Sequence, residues 1–287
     1  MPGHLIFFEV FRFSAVGQPV SIDCDDASAT EVLWANFAAM AQFARGGDTA
    51  PEALSYRVRV SHPGALLTLS CRGESPADFV DMGKLLYALE KDLTISLQRR
   101  RPDLLFLHAA ALERGGRGYL LAGDSGNGKS TTAWGLLHRR FCYLSDELSP
   151  IDTASMQVHA YPHALCMKSH PPPTHPLPPS TIVQHLGTTM HVPVASFPAA
   201  IGPAVCPIEA IVFVRYAREL TVPVLRKLGS AEAGARLYTT ALNALAHSER
   251  GLDAVLHIAS KARCFVLETA DLDQSCDLFC NSVASVL

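Results

Sequence analysis

The amino-acid sequence predicts an α/β fold built on a mixed, partly antiparallel sheet that carries a phosphate-binding loop (P-loop). Strand-like and helical patterns alternate through most of the chain. A glycine-rich segment at residues 123–130 joins an apolar run to a helical run. Two extended runs flank a Gly-Gly pair directly before that segment, which predicts a hairpin leading into the loop. The hairpin favours a mixed sheet over an all-parallel one.

The composition describes a globular chain with a large core. The 287 residues are 48% hydrophobic and 18% charged, and the formal charge of −3 argues against nucleic acid or a membrane surface as a partner. The eight cysteines form no CxxC pair, which is typical of a reducing compartment. The first residues lack the features of a signal peptide, and no apolar run is long enough to span a membrane. We therefore expect a cytoplasmic protein.

The chain is expected to form two domains. Residues 1–75 combine strand-like runs with the helical run "ATEVLWANFAAMAQFA" and are predicted to be a small N-terminal α/β module; the strand-like runs are 5–12, 55–61 and 65–71. Residues 76–287 form the P-loop domain, which opens with a long helix in "SPADFVDMGKLLYALEKDLTISLQ" with Ser75 as its cap. A Pro- and His-rich insertion at about 169–207 holds too many prolines for a regular element and is predicted to be a surface excursion.

The remaining elements of the second domain follow from periodicity. Helices are predicted at 128–139, near 230–246 and from the last strand to Leu287. Strands are predicted at 141–145, 149–153, 156–161, 210–216 and 263–268.

The pair Gly115-Gly116 sets the register of the predicted hairpin. Glycine adopts the positive φ that a two-residue turn needs, so the runs 104–113 and 118–122 become its strands. Counting outward from this turn places His108 opposite Gly123. The sequence therefore predicts an imidazole beside the first residue of the loop.

The loop follows the pattern GxxxxGK[ST], in which glycines let successive N–H groups converge on phosphate oxygens and the next helix adds its dipole. Lys129 can reach the terminal phosphates, and the Ser130 hydroxyl is placed to bind Mg²⁺. The sequence thus predicts ATP and Mg²⁺ as cofactors. The predicted nucleotide-binding residues are Gly123, Asp124, Ser125, Gly126, Asn127, Gly128, Lys129, Ser130 and Thr131.

An acidic pair, Asp146 and Glu147, follows the strand predicted at 141–145. A right-handed crossover from the loop helix would lay this strand parallel to 118–122, so its carboxyl end would adjoin the loop. At that position a carboxylate can hold Mg²⁺ or accept a proton.

Six histidines lie in or near the Pro- and His-rich segment. Their spacings match no compact set of metal ligands, and the intervening prolines oppose a helix-based pair, so the sequence does not predict a zinc site. The segment is interpreted as a lid or acceptor-recognition surface that orders on binding. The histidines are His159, His163, His170, His175, His185 and His191.

The stretch "LHAAALERGGRGYLLAGDSGNGKSTTAWGLLHRRFCYLSDE" resembles the kinase domain of the HPr kinase/phosphorylase family, whose fold is shared with phosphoenolpyruvate carboxykinase. The clear match covers residues 104–168. A weaker one runs to the C-terminus, where "YPHALCMKS" and "RCFVLETADL" resemble the kinase-related branch found beside peptide-modifying gene clusters. The second glycine-rich signature of the HPr-specific enzymes is missing, which weakens the case for HPr as acceptor and for phosphorylase activity.

The resemblance implies roles for individual residues. Asp146 matches the general base toward an acceptor hydroxyl, and His108 matches a histidine that assists at the transferring phosphate. Glu147 takes the second acidic position, from which it can reach Mg²⁺. Lys168 matches a lysine that touches phosphate or acceptor, and the alternative is an exposed lysine at a strand end.

The leading hypothesis is a Mg·ATP-dependent kinase that transfers the γ-phosphoryl group to a hydroxyl, such as a serine of a peptide or small protein. Catalysis would rest on Lys129, His108 and Asp146. The alternatives are a P-loop ATPase, a small-molecule kinase and a regulatory nucleotide-binding module without turnover. The chain lacks the LSGGQ-like segment of transport ATPases. The sequence does not determine the oligomeric state, and a homo-oligomer stays an open alternative.

Overall fold

The computed structural model describes residues 9–44, 53–61, 66–247 and 250–285. They form an α/β architecture of mixed sheets with six α-helices. Within these ranges, no helix combines the length and apolar character needed to cross a membrane. The start of the strand predicted at 5–12 and the end of the closing helix at Leu287 lie outside the described residues.

A five-stranded sheet forms the N-terminal part, with neighbours in chain order. Every adjacent pair is antiparallel except the second and third strands, which are parallel. Between those two strands in the sequence lie an α-helix, α1 (Ala27–Phe37), and a 3₁₀ helix (Ala38–Phe43). The strands are β1 (Glu9–Ala15), β2 (Gln18–Cys24), β3 (Leu54–Ser61), β4 (Leu66–Cys71) and β5 (Ala77–Phe79).

The helix α2 (Met82–Arg100) belongs to the same core as this sheet. Its buried leucines, including Leu89 and Leu93, pack in one cluster with Phe13 and Ile22. The packing therefore groups α2 with the N-terminal strands, while the domain boundary at residue 75 stays a prediction.

The described residues after α2 form twelve further strands, four α-helices and a short 3₁₀ helix (Val194–Ser196). The helices are α3 (Lys129–Leu137), α4 (Ser230–Thr240), α5 (Gly251–Lys261) and α6 (Leu272–Ser282). The strands are β6 (Leu104–Leu107), β7 (Ala109–Arg114), β8 (Arg117–Ala122), β9 (Cys142–Ser145), β10 (Ser149–Asp152), β11 (Gln157–His159), β12 (Leu165–Met167), β13 (Gln184–Leu186), β14 (Thr189–Val192), β15 (Val205–Tyr216), β16 (Val224–Lys227) and β17 (Arg263–Thr269).

Nine of these strands form one mixed sheet. Seven of them follow the order β6-β10-β11-β15-β8-β7-β9, and the other two are β17, which pairs with β15, and β16, which pairs with β17. The strands β8, β15 and β17 run parallel. The mixed, partly antiparallel sheet is as predicted. Alternation along β8 shows how its two faces are buried: Tyr119 and Leu121 belong to the core that holds Trp134 of α3, and Leu120 belongs to the core that holds Val255 of α5.

The hairpin before the loop has the predicted turn and register. Gly115 and Gly116 adopt positive φ values of 62° and 77°. The strands β7 and β8 pair from this turn out to Ala109 and Ala122. The observed pairing ends one residue before the predicted pair of His108 and Gly123, and the amide of His108 instead donates to the carbonyl of Thr240.

Two details of this region differ from the sequence prediction. The run 104–113 is two strands, because β6 pairs with β10 while β7 pairs with β8 and β9, and His108 lies at the break. The strand β9 has the predicted direction relative to β8, but β7 lies between them and pairs with both.

The long helix begins later than predicted. Residues 77–79 pair with β4 as an edge strand, and α2 starts at Met82 with Asp81 as its N-cap. The Asp81 carboxylate accepts a hydrogen bond from Lys84 N at 2.8 Å. Ser75 is therefore not the cap, because the available sheet edge takes the first residues out of the helix.

The Pro- and His-rich segment contains regular structure, contrary to the prediction. The strands β13 and β14 form a three-stranded antiparallel sheet with β12. Val183, Val192 and Val194 are buried in the same core as α3. The prolines lie between these short elements, so apolar burial stabilises the segment around them.

Toward the C-terminus, the helix predicted near 230–246 ends at Thr240. The strand β16 and the helix α5 were not predicted.

The N-cap of α2 is testable. We expect Asp81→Ala to lower the urea concentration at the midpoint of unfolding, because it leaves an amide of the first helical turn without its acceptor. Ser75→Ala is the matched control and should change stability by less than about 0.5 kcal/mol. Urea denaturation measures both, and a larger loss in Ser75→Ala would contradict this helix start.

Candidate functional site

A tight glycine loop connects β8 to α3 at the carboxyl end of the parallel strands. Gly123 has φ +139°, and a Cβ atom added there would lie 2.7 Å from the carbonyl oxygen of Val214 on β15. Only glycine allows this approach of the loop to the neighbouring strand. The backbone then turns through residues 124–128 and enters α3 at Lys129.

The side chain of Lys129 lies beneath the loop and is 5% exposed. Its ammonium group donates to the carbonyl oxygens of Gly123 at 2.8 Å and Asp124 at 3.2 Å. It also lies 3.1 Å from Nε2 of His108. Burial lowers the pKa of Lys129, and the carboxylates nearby, Glu147 first among them, counteract this effect.

The position of Lys129 fixes the tautomer of His108. An ammonium group only donates, so Nε2 of His108 accepts and the ring proton lies on Nδ1. That nitrogen faces Oε2 of Glu147 at 3.2 Å. Lys129, His108 and Glu147 therefore form a continuous polar chain. Glu147 has the unusual backbone angle φ +67°, which an L-residue adopts only at an energetic cost.

Asp146 is the buried member of the acidic pair. It is 1% exposed, and its Oδ2 accepts hydrogen bonds from Ser130 Oγ at 2.9 Å and from the backbone amide of Cys166 at 3.2 Å. Its Oδ1 is buried without a hydrogen-bond partner. Burial, and secondly the charge of Glu147, raise the pKa of Asp146 to about 7. The site thus holds a carboxyl group that titrates near neutral pH.

Two cavities meet beside these residues. The first, of about 530 Å³, lies between α3 and the ends of β15 and β17. The second, of about 800 Å³, lies between α2 and the β13–β14 hairpin. Both are lined by Glu147, Cys166 and Lys168, which therefore mark their junction. Volumes of this size are typical of small-molecule and cofactor sites.

Most of the residues predicted to bind nucleotide lie at the first cavity. Gly123, Asp124 and Asn127 are outside its lining, and the first two contribute their carbonyl groups to Lys129. Lys168 donates a hydrogen bond to Ser125 Oγ across the cavity mouth. The lining residues from the predicted set are Ser125, Gly126, Gly128, Lys129, Ser130 and Thr131.

The sequence analysis did not identify several residues of the site. Tyr216 and Thr269 line the far wall of the first cavity, and each is the last residue of a strand parallel to β8. The rule that ligands bind at the carboxyl ends of parallel strands was a usable signal for both. The amide of Cys166 and the contribution of α2 to the second cavity had no signal in local sequence.

Two of three comparisons with known proteins found no match. No protein-family model matches the chain, and no curated protein matches it. A structure of the HPr(Ser) kinase/phosphatase from Coxiella burnetii aligns with 58% of this chain and 88% of that chain, at 11% identity and a TM-score of 0.30.

The raised pKa of Asp146 has a consequence for stability. Between the pKa of an unfolded aspartate and about 7, the native state binds more protons than the unfolded state, so stability falls as pH rises through this window. Asp146→Asn removes the buried charge. At pH values above this window, we expect the variant to melt ~2 °C or more higher than the wild-type protein. At pH values below the window, the increase in melting temperature should be smaller.

Differential scanning fluorimetry across pH measures this difference. The wild-type protein, scanned at the same pH values, is the reference for the variant. Equal shifts for Asp146→Asn at low and high pH would contradict a raised pKa.

Proposed function

We propose that the protein is a Mg·ATP-dependent kinase that phosphorylates a hydroxyl group. The observation that carries this proposal is the junction of two cavities at Glu147, directly beside the glycine loop, Lys129 and Ser130. One cavity suits a nucleotide and the other an acceptor. A hydrolase needs only the first.

The first cavity fits Mg·ATP on two grounds. The loop presents glycines at its closest approach to the sheet and the N-terminus of α3 behind it, a combination that favours phosphate. The orphan Oδ1 of Asp146 and the Ser130 hydroxyl supply the hard oxygen ligands that Mg²⁺ prefers. The room toward Tyr216 and Thr269 would take the nucleoside.

The polar chain of Lys129 and His108 would stabilise negative charge on the transferring group. Lys129 exchanges the two loop carbonyls that now hold it for phosphate oxygens, and it stays positioned by His108. When bound, Mg·ATP supplies the γ-phosphoryl group and the metal charge that neutralises it.

The contacts of the acidic pair favour a division of roles opposite to the one that the resemblance implied. Asp146 accepts a hydrogen bond from the hydroxyl of Ser130, which lines the first cavity, so it suits the Mg²⁺ side. Glu147 lines both cavities and is 47% exposed, so it suits the acceptor side. In the proposed step the acceptor oxygen bonds to the γ-phosphorus, the bond to the leaving ADP oxygen breaks, and Glu147 receives the acceptor proton. Asp146 as base with Glu147 on Mg²⁺ is the alternative.

The acceptor would lie in the second cavity, where Lys168 stands at the junction and the β13–β14 hairpin forms a wall. A serine of a peptide or small protein is the proposed acceptor, since this cavity is the larger and lies open along α2. The Pro- and His-rich segment would act as its recognition surface.

The first test is transfer of label from γ-labelled ATP into peptides and extract proteins. We expect Mg²⁺-dependent labelling of a discrete acceptor, and loss of at least about 100-fold in Lys129→Ala because phosphate charge is then uncompensated. Lys261→Ala, an exposed position on α5, is the matched control and should label normally. Release of free phosphate without a labelled acceptor, still abolished in Lys129→Ala, would instead indicate an ATPase.

A second test separates the roles of the acidic pair. Glu147→Gln should lower kcat by about 100- to 10,000-fold with little change in the Mg²⁺ concentration at half-maximal rate, as expected for loss of a general base. Asp146→Asn should raise that Mg²⁺ concentration. The reverse assignment would follow if Glu147→Gln shifted the Mg²⁺ requirement and Asp146→Asn lowered kcat alone.

A further inference from the structure

Three side chains that the proposed reaction does not use meet at the base of the second cavity. Glu90 of α2, His163 before β12 and His191 of β14 each place one possible metal-binding atom within 4.8 Å of the other two. His163 and His191 are buried. Glu90 and His191 line the second cavity, which gives the group a path to solvent.

The ring of His163 is oriented by the backbone. Its Nδ1 lies 3.0 Å from the carbonyl oxygen of Ala164. A carbonyl only accepts, so Nδ1 carries the proton and Nε2 is left toward Glu90.

The ring of His191 is oriented by an asparagine. Its Nδ1 lies 2.7 Å from Oδ1 of Asn36, a buried residue of α1. The amide orientation of Asn36 is fixed, because its Nδ2 donates to the carbonyl of Val32 at 2.8 Å and to Gln184 at 3.0 Å. Nδ1 of His191 is therefore the donor, which leaves its Nε2 as the ligand atom. Histidine ligands of metals usually have their second ring nitrogen held by a carbonyl or carboxyl oxygen in this way.

The facing atoms of the group form a close buried contact. Oε1 of Glu90 lies 2.6 Å from Nε2 of His163, which is ion-pair distance. Neither atom has a further hydrogen-bond partner. A cation would replace this contact by binding both atoms, with release of a proton from the pair.

We propose that Glu90, His163 and His191 bind a Zn²⁺ ion. Two imidazoles and a carboxylate are an established donor set for Zn²⁺, and three protein ligands leave one coordination position open. Glu90 and His191 line the second cavity, so the open position would be reached from there. The ion would join α2 to β14, and so fix both walls of the second cavity, whether or not the chain transfers phosphate.

The test uses tag-free, full-length protein from which metal has been removed by chelation. Co²⁺ is the spectroscopic probe, titrated in an excess of Mg²⁺ so that the loop site is not counted. We expect one equivalent of Co²⁺ with visible ligand-field bands, displaced by one equivalent of Zn²⁺. Zn²⁺ should also raise the melting temperature, because it binds the native state alone.

Matched variants locate the ion. Glu90→Gln and His191→Gln should abolish stoichiometric uptake and the thermal shift, while His185→Gln, an exposed histidine of the same hairpin, should retain both. Asn36→Ala leaves all three ligands in place and should weaken Co²⁺ binding by about 10- to 100-fold through loss of ring orientation.

The wild-type titration keeps the proposal falsifiable even if a variant does not fold. Failure of the wild-type protein to take up one equivalent of Co²⁺ would overturn it. Full uptake in both Glu90→Gln and His191→Gln would also overturn it, as would uptake that is lost only in Lys129→Ala.

Discussion

The buried carboxyl group of Asp146 is the point on which the site depends. Its Oδ2 accepts hydrogen bonds from the hydroxyl of Ser130 on α3 and from the amide of Cys166 on β12, while Asp146 itself directly follows the last residue of β9. One oxygen atom thus sets the relative positions of the loop helix, the acidic pair and the strand that leads to Lys168. The protein retains a poorly solvated carboxyl here, and a net loss of stability at neutral pH is the physical consequence.

The parts of this arrangement that follow from local sequence were predictable. The Gly115-Gly116 turn fixed the register of β7 and β8, and with it the position of His108. The pattern of the loop gave Lys129 and Ser130, and the crossover rule gave the direction of β9. Each of these depends on a few neighbouring residues or on a handedness that all proteins share.

The parts that were missed depend on partners distant in the chain. Residues 77–79 left the predicted helix because β4 offered an unpaired edge. The strands β13 and β14 formed despite the nearby prolines because valines in and beside them could be buried. Spacing along the chain gave no metal-ligand set, since Glu90 of the proposed site lies on α2, far from both histidines in the sequence. Tertiary burial decided these cases over local pattern.

The position of β7 between β8 and β9 sets the distance between those two strands. Two strand spacings, about 10 Å, separate the strand that leads into the loop from the strand that leads to the acidic pair. His108 directly precedes this intervening strand and bridges the gap, with Lys129 on one side and Glu147 on the other. A slip of one residue in the β7 pairing would turn this imidazole to the opposite face of the sheet and disconnect the two halves, although every side chain would still be present. In this fold, the distance between the ammonium group of Lys129 and the carboxylate of Glu147 depends on the one β-strand that lies between β8 and β9.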